Sequence, residues 1–404
     1  MSAMVEAPSR MEPCLLEEPG LLEEPGLPIV NAITELTAAA NALGQGLHPT
    51  SAASLADIVR IMKCYYSNLI EGHNTTPRES EAALQDPMQN TGERRNLLLE
   101  ARAHIRLQRN LDERHARGDL AEPAAVDFIR ELHSAFYQDA PAEWLRIQAG
   151  QTVLRMTPGM FRRDPAEEVT VGLHVPPSPH AVSAFMAAFE RRYRFERMGP
   201  GERVIAMAAA HHRLNYIHPF LDGNGRVSRL MSHAMAAQAG IGASGLWSIS
   251  RGLARGLDSR GDYKRMMDHA DTPRQGDLDG TGNLSERALK TFVLWFLRTC
   301  LDQVRFMTTL FALDSLLDRL RAYVDFRAFD PAAFHLLEHV LHRGSMARGD
   351  APRMLGMRER KARDTLSILV DDGILASETP KGPVILRFPA SSVEVLFPGI
   401  FPHS

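Results

Sequence analysis

Between two helical stretches the chain reads Asn215-Tyr216-Ile217-His218-Pro219-Phe220-Leu221-Asp222-Gly223-Asn224-Gly225-Arg226-Val227-Ser228-Arg229, and its residue types suit the chemistry of a nucleotide phosphate. Pro219 ends the first helix. Gly223, Asn224 and Gly225 tolerate positive φ, so successive N–H groups can converge on an anion where the next helix begins. That helix start adds its own positive end. Arg226 and Arg229 share one face of the first turn, where forked guanidinium groups can hold phosphate oxygens. Two cations in a first turn oppose the macrodipole, a local conflict that a bound anion would relieve. Asp222 can hold a hard divalent cation such as Mg²⁺, which shares its shell with phosphate oxygens. His218 is the titratable side chain suited to taking a hydroxyl proton near neutrality. Taken singly, these residues read as a helix cap, a turn and solvated arginines; the phosphate reading rests on their combination.

The elements that must position this loop are helices. From Ile29 to about Arg321 the apolar periodicity is mostly helical, as in Val204 to Leu214 and Val227 to Ala239, which predicts an α-helical bundle. Glu168 to Val175 alternates β-branched residues before Pro176-Pro177 and reads as a short hairpin projecting as a flap. Ahead of the bundle, Leu-Leu-Glu-Glu-Pro-Gly occurs at Leu15 to Gly20 and again at Leu21 to Gly26; each Pro-Gly stops a helix after one turn, so residues 1–28 read as a flexible tail. The division expected downstream is N-terminal helices over 29–110, a core over 111–322 and a separate module over 331–404. In that module, apolar periodicity at Phe334 to Leu341, a short helix near Ala351 to Leu355 and a third helix from Arg358 to Asp371 precede Ile374 to Ser377 and Val384 to Phe388, which flank Pro380-Lys381-Gly382. Three helices and a hairpin is the layout of a winged helix-turn-helix.

Composition narrows the classes. Lys and Arg number 46 against 49 Asp and Glu over 404 residues, so no global field draws the chain to nucleic acid or an anionic membrane. Cys14, Cys64 and Cys300 form no CxxC pair, which argues against a disulfide framework or cysteine zinc site and favours a reducing cytoplasm. No apolar run is long enough for a membrane span or signal peptide.

Residues His218 to Arg229 match, at every defined position, His-Pro-Phe-x-Asp/Glu-Gly-Asn-Gly-Arg-x-x-Arg, and by this the chain resembles the Fic family over roughly residues 50 to 300. The resemblance implies a helical bundle with a β-hairpin flap and a protein adenylyltransferase. His218 would deprotonate a Tyr, Thr or Ser hydroxyl, Asp222 would hold Mg²⁺, Gly223, Asn224 and Gly225 would cradle the α- and β-phosphates of ATP, and Arg226 and Arg229 would bind the outer phosphates. In the flap, Val171, Gly172 and His174 resemble the family's Val-Gly-x-His beside the nucleotide. Tyr263 and Asp271 resemble the residues closing the adenine pocket, although many relatives have Tyr-Tyr and Asn where this chain has Tyr263-Lys264 and Asp271. Ser67-Asn68-Leu69-Ile70-Glu71-Gly72 resembles the inhibitory-helix pattern Ser/Thr-x-x-x-Glu-Gly/Asn: Ser67 and Glu71 share a helix face, Gly72 suits the helix end, and a carboxylate pairing with Arg229 would compete with the outer phosphate. Removal of AMP, transfer of another phosphate-bearing group, and a nucleotide-sensing DNA-binding regulator are the alternatives. A protein substrate is expected; self-modification and a homodimer stay open.

Other patterns carry less. Gly240 to Gly245 spells GxGxxG but follows an Ala- and Met-rich helix rather than a strand, so it reads as a helix-ending loop. Asp277 to Gly282 resembles a calcium loop, but its twelfth position is Ala288 rather than Glu, so it reads as a turn. His211 and His212 are adjacent on a helix and point different ways. Arg353, Arg358, Arg360, Lys361 and Arg363 give the third helix of the C-terminal module a basic face. Residues 331–404 nevertheless hold nine Lys and Arg against eight Asp and Glu, which places assembly or presentation of a protein ahead of DNA binding.

Overall fold

The computed structural model describes residues 6–16, 27–73, 76, 92–149 and 152–401. Helices dominate: α1 (Leu27–Ala42), α2 (Pro49–Ile70), α3 (Gly92–Arg117), α4 (Val126–Phe136), α5 (Val182–Tyr193), α6 (Pro200–Ile217), α7 (Asn224–Gln238), α8 (Ile249–Arg255), α9 (Asp262–Ala270), α10 (Glu286–Phe311) and α11 (Leu313–Phe326). The bundle centres on α6, which is buried all round from Val204 to Leu214; a helix buried on every side must sit among other helices. It packs against α5, α7 and α10. On α4, Phe128, Ile129, Leu132, His133 and Phe136 make one buried stripe, the spacing of a helix with one face on a core. The mainly α fold expected from periodicity is the one observed.

The expected division at residue 110 falls inside α3 and that at 322 inside α11, because continuous helices carry the chain through both points. The flap also differs. Val171 and His174 form a single antiparallel bridge around Gly172 and Leu173, and Pro176 and Pro177, which lack N–H groups, cannot extend a ladder. The paired strands lie earlier, at β1 (Arg146–Ala149) and β2 (Thr152–Arg155), antiparallel with Arg146 opposite Arg155.

Residues 6–16 are no free tail. Met11, Cys14 and Leu16 are buried, Arg213 donates to the Pro13 carbonyl at 2.8 Å and Tyr193 Oη to the Cys14 carbonyl at 2.7 Å. Apolar side chains and two buried donors that need acceptors draw this segment in. The rest of the duplicated Leu-Leu-Glu-Glu-Pro-Gly, from residue 17 to 26, lies outside the described residues.

The C-terminal part contains α12 (Ala333–Arg343), α13 (Ala351–Leu355) and α14 (Glu359–Asp372), then β3 (Leu375–Ala376) paired antiparallel with β4 (Ile385–Leu386), and finally α15 (Val393–Leu396). Met346 bridges Val384 beside that hairpin. This part touches α2 directly: Ser51 Oγ donates to the Leu341 carbonyl at 2.8 Å, and Tyr65 stands edge-on to Phe401 at 5.3 Å. Among the described residues, no helix is long and apolar enough to cross a membrane.

Candidate active site

The loop joining α6 to α7 is fixed from within and from below. His218 ends α6 in the left-handed region, φ 48° and ψ 59°, with its N–H donating to the Leu214 carbonyl; this conformation costs a non-glycine residue about 1–2 kcal/mol and needs support. Part of the support is Asn224, whose buried amide accepts from Phe220 N at 2.9 Å and donates to Phe220 O at 2.8 Å. Phe220, fully buried, stacks on His133 at 3.9 Å. His133 Nδ1 accepts from Gly159 N at 2.8 Å, which leaves Nε2 to donate to the Asp222 carbonyl at 3.1 Å.

Gly223 has φ 82°, and a Cβ there would lie 2.8 Å from Tyr137 Oη, so glycine is required both by conformation and by contact. Tyr137 Oη in turn donates to Asp222 Oδ2 at 2.9 Å. Burial works to raise the Asp222 pKa, but Arg226, the Gly223 N–H and the Tyr137 hydroxyl outweigh it and hold the carboxyl below its usual range. Its side chain stays half-exposed.

The two arginines face different ways. Arg226 turns beneath the loop, where Nε meets the buried Glu100 carboxylate at 2.7 Å and Nη1 donates to Tyr137 Oη at 3.2 Å. Its guanidinium also lies over Phe136 at 5.5 Å. It steadies the loop from behind and does not line the cavity in front, contrary to the outer-phosphate position expected for it. Arg229 does line that cavity. It donates through Nε to Ser67 Oγ at 2.9 Å and through Nη2 to Glu71 Oε1 at 2.5 Å. Glu71 caps the C-terminal end of α2, and Gly72 follows at φ 84°. Glu71 also presses on the amide cradle, since a Cβ on Gly225 would be 2.6 Å from its Oε1. Burial would raise the Glu71 pKa; Arg229 and then Arg226 overcome this and keep the carboxylate ionised below its ordinary range.

In front lies a cavity of about 570 Å³ walled by Glu71, Gly225, Arg229, His218, the flap residues Val171, Gly172 and His174, and Tyr263 and Asp271. Such a volume accommodates a nucleotide-sized ligand. Burial, then Arg162 and His174, push the His218 pKa down to about 4, and the ring is hydrogen-bonded to the Asn215 carbonyl; one nitrogen donates there, leaving the other as a neutral base facing the cavity. Tyr263 Oη meets His211 Nε2 at 2.9 Å, and His211 Nδ1 meets Ser232 Oγ at 2.9 Å. Asp271 lines the cavity with Oδ2 held at 2.9 Å by His174 Nδ1, while Oδ1 lies 3.2 Å from His212 Nε2, which bonds instead to the Met267 carbonyl, so one oxygen is committed before any base could meet it. Ser67, Gly72, Asp222, Gly223 and Asn224 stand behind or beside the cavity wall rather than on it. Among the described residues no three His, Cys, Asp or Glu cluster as metal ligands. A site fitting Mg²⁺ here would therefore combine Asp222 with ligand phosphates and water, a mode this ion commonly adopts.

The residues that grip the loop, Arg162, His133, Tyr137 and Glu100, were not singled out by sequence reasoning. Their partners lie far along the chain, and no local spacing marks them.

The comparisons with known proteins fall on the same elements. Residues 123–236 match the Fic/DOC family. The chain is 43% identical over 82 residues to "Protein adenylyltransferase Fic" of Drosophila erecta, covering 20% of this chain and 16% of that protein, and 44% identical over the same length to the Drosophila ananassae protein of that name. It therefore spans about a sixth of the length of the curated relatives it matches. The crystal structure of a Fic family protein from Desulfovibrio desulfuricans G20 shares the fold with a TM-score of 0.52, at 18% identity over 89% of this chain and 95% of that one. Residues 123–236, which carry the loop His218 to Arg229, thus form a stretch similar to the Fic/DOC family, within a helical fold shared with a Fic family protein.

Proposed function

We propose that the chain is a protein adenylyltransferase, transferring AMP from ATP to a Tyr, Thr or Ser hydroxyl of a protein, and that Glu71 holds it inactive. The observation that carries this reading is one cavity wall uniting a neutral His218, the Gly225 amide cradle, Arg229 and the Glu71 carboxylate that bridges it. Names of the curated relatives support the activity.

In the proposed reaction the hydroxyl oxygen attacks the α-phosphorus, the bond from that phosphorus to the bridging oxygen breaks, and pyrophosphate leaves with the bond's electrons. The hydroxyl proton passes to the free nitrogen of His218, and the Gly223 to Gly225 amides stabilise charge developing on the α-phosphate oxygens. Mg²⁺, when bound, neutralises phosphate charge. Asp222, aimed by Tyr137, would hold it. The flap residues Val171, Gly172 and His174 and the facing Tyr263 would enclose the base and sugar. Arg229 would take the terminal phosphate once Glu71 withdraws.

The test is incubation of Glu71→Gly with labelled ATP and a cell lysate, with His218→Ala in the same background as control, and mass spectrometry of labelled products. Protein-bound AMP that depends on His218 is the expected outcome. A different phosphate-bearing adduct, or loss of AMP from a pre-modified protein without transfer, would replace the reading with one of its alternatives.

The C-terminal part is read as a winged helix that handles protein rather than duplex DNA. Three of the five cations of its basic face are paired locally: Lys361 with Asp330 at 3.0 Å, Arg353 with Asp350 at 3.4 Å, and Arg363 with Glu359. A salt-dependent shift of duplex DNA by the full chain would overturn this assignment.

A further inference from the structure

Arg162 is among the largest fully buried side chains, at 2% exposure, and among the described residues no carboxylate lies within ion-pair distance of it. Carbonyls surround its guanidinium instead. Nε donates to His218 O at 2.8 Å, Nη2 to Ile217 O at 3.3 Å and to Pro177 O at 3.0 Å, and Nη1 to Glu167 O at 3.2 Å. Its backbone N–H donates to Pro219 O at 2.8 Å. One residue therefore holds three consecutive carbonyls, 217 to 219, on either side of the left-handed turn at His218. The same guanidinium holds Pro177, immediately after the flap, and Glu167 immediately before it. A lone buried cation is costly, and a purely structural brace could have been built from neutral donors.

We propose that Arg162 is a positioning residue for the transfer reaction: it fixes the distance between flap and base by clamping both to one rigid fork, and it sets a positive charge directly behind His218. The inference rests on the adenylyltransferase reading for its reaction, but the clamp itself is independent of that reading. The charged and titratable groups that face His218 are Arg162 from behind, His174 from the flap and Asp222 from the loop. Glu71, His212, Arg229, Arg260, Tyr263, Lys264, Asp268 and Asp271 stand on the rest of the cavity wall. Of these, Arg162 is the one whose side chain bonds to the backbone of His218 itself.

Arg162→Gln and Arg162→Lys, each made in the Glu71→Gly background, test this. The readouts are kcat and KM for ATP in labelled AMP transfer, its pH profile, and NMR titration of the His218 ring, assigned by comparison with His218→Ala. Arg162→Gln should lower kcat by about 10²-fold, the usual penalty of a misplacement near 1 Å, with little change in KM, and should shift the His218 titration and the acid limb of the profile upward. Arg162→Lys keeps the charge but cannot reproduce the fork, so it should leave the His218 titration in place while kcat remains depressed. An unchanged His218 titration in folded Arg162→Gln, or full kcat in either variant, would overturn the proposal. If Arg162→Gln does not fold, the kcat and titration of Arg162→Lys decide the matter alone. Because the ring titration needs no turnover, absence of AMP transfer in the Glu71→Gly parent would count against the adenylyltransferase reading and not against the clamp.

Discussion

Replacing Glu71 by Gly is the sharpest perturbation of this site. The carboxylate takes one charge-assisted hydrogen bond from Arg229 at 2.5 Å, with Arg229 at 1% and Glu71 at 29% side-chain exposure. Arg229 is not left unsatisfied by the change, since Nε keeps Ser67 Oγ at 2.9 Å. What the change releases is one partly buried Nη2, and a hydrogen bond to a charged group is worth about 1.5–3 kcal/mol. Transferred to the outer phosphate of ATP, that interaction should raise ATP affinity or the transfer rate by about 10- to 150-fold, at 1.4 kcal/mol per factor of ten. Calorimetry of ATP with Mg²⁺ and single-turnover transfer of labelled AMP measure the two. Glu71→Gln, similar in size and uncharged, should fall between wild type and Glu71→Gly, because an amide still fills the space beside Gly225 but pairs weakly with a guanidinium. Equal ATP affinity and equal transfer in wild type and Glu71→Gly would refute the competition between carboxylate and phosphate.

Three further outcomes follow from the same geometry. Asn224→Ala removes both bonds to Phe220 and leaves that backbone pair buried and unmet; a loss of about 1–3 kcal/mol by chemical denaturation is expected, together with loss of transfer. Gly223→Ala forces a side chain into the left-handed region and against Tyr137; unfolding free energy should fall by at least about 1 kcal/mol, whereas Tyr137→Phe should be folded but need more Mg²⁺ for half-maximal transfer. The third concerns acid. Burial depresses His133 to about 4, His211 to about 3 and His218 to about 4, so between the unfolded value near 6.5 and those folded values the unfolded chain binds more protons. Stability should therefore decline as pH falls from about 6.5 toward 4, less steeply in His218→Asn. The Glu71 pair, whose carboxyl is held low, contributes above the unfolded carboxylate pKa and is lost only at more acid pH, so acidification from pH 7 to 5 should not relieve the proposed inhibition.

The loop His218 to Arg229 was legible because its chemistry is local: glycines, a proline and charges at fixed offsets determine what a turn entering a helix can bind. Glu71 was legible only through resemblance, since nothing near it in sequence marks Arg229, 158 positions on, as its partner. Arg226 shows the limit of face arguments. Helical spacing puts it on the same side as Arg229, yet a buried Glu100 on α3 draws it behind the loop, and only tertiary packing brings that carboxylate there. The C-terminal elements were read closely because caps and a Pro-Lys-Gly turn delimit them. The strands β1 and β2 were missed because four-residue strands with exposed, mixed side chains give too short an alternation to separate from loop.

The segment from residue 6 to 16 gives Arg213 its main acceptor, the Pro13 carbonyl, and the same α6 carries His211 and His212 toward the cavity. Lifting that segment away would strand a buried guanidinium one residue before Leu214, whose carbonyl receives the His218 N–H. The chain's first described stretch thus wedges the helix that ends at the His218 turn and, through Arg10 on the Val175 carbonyl and Glu6 on Ser178, also holds the end of the flap, so that prising it away would slacken two walls of the cavity at once.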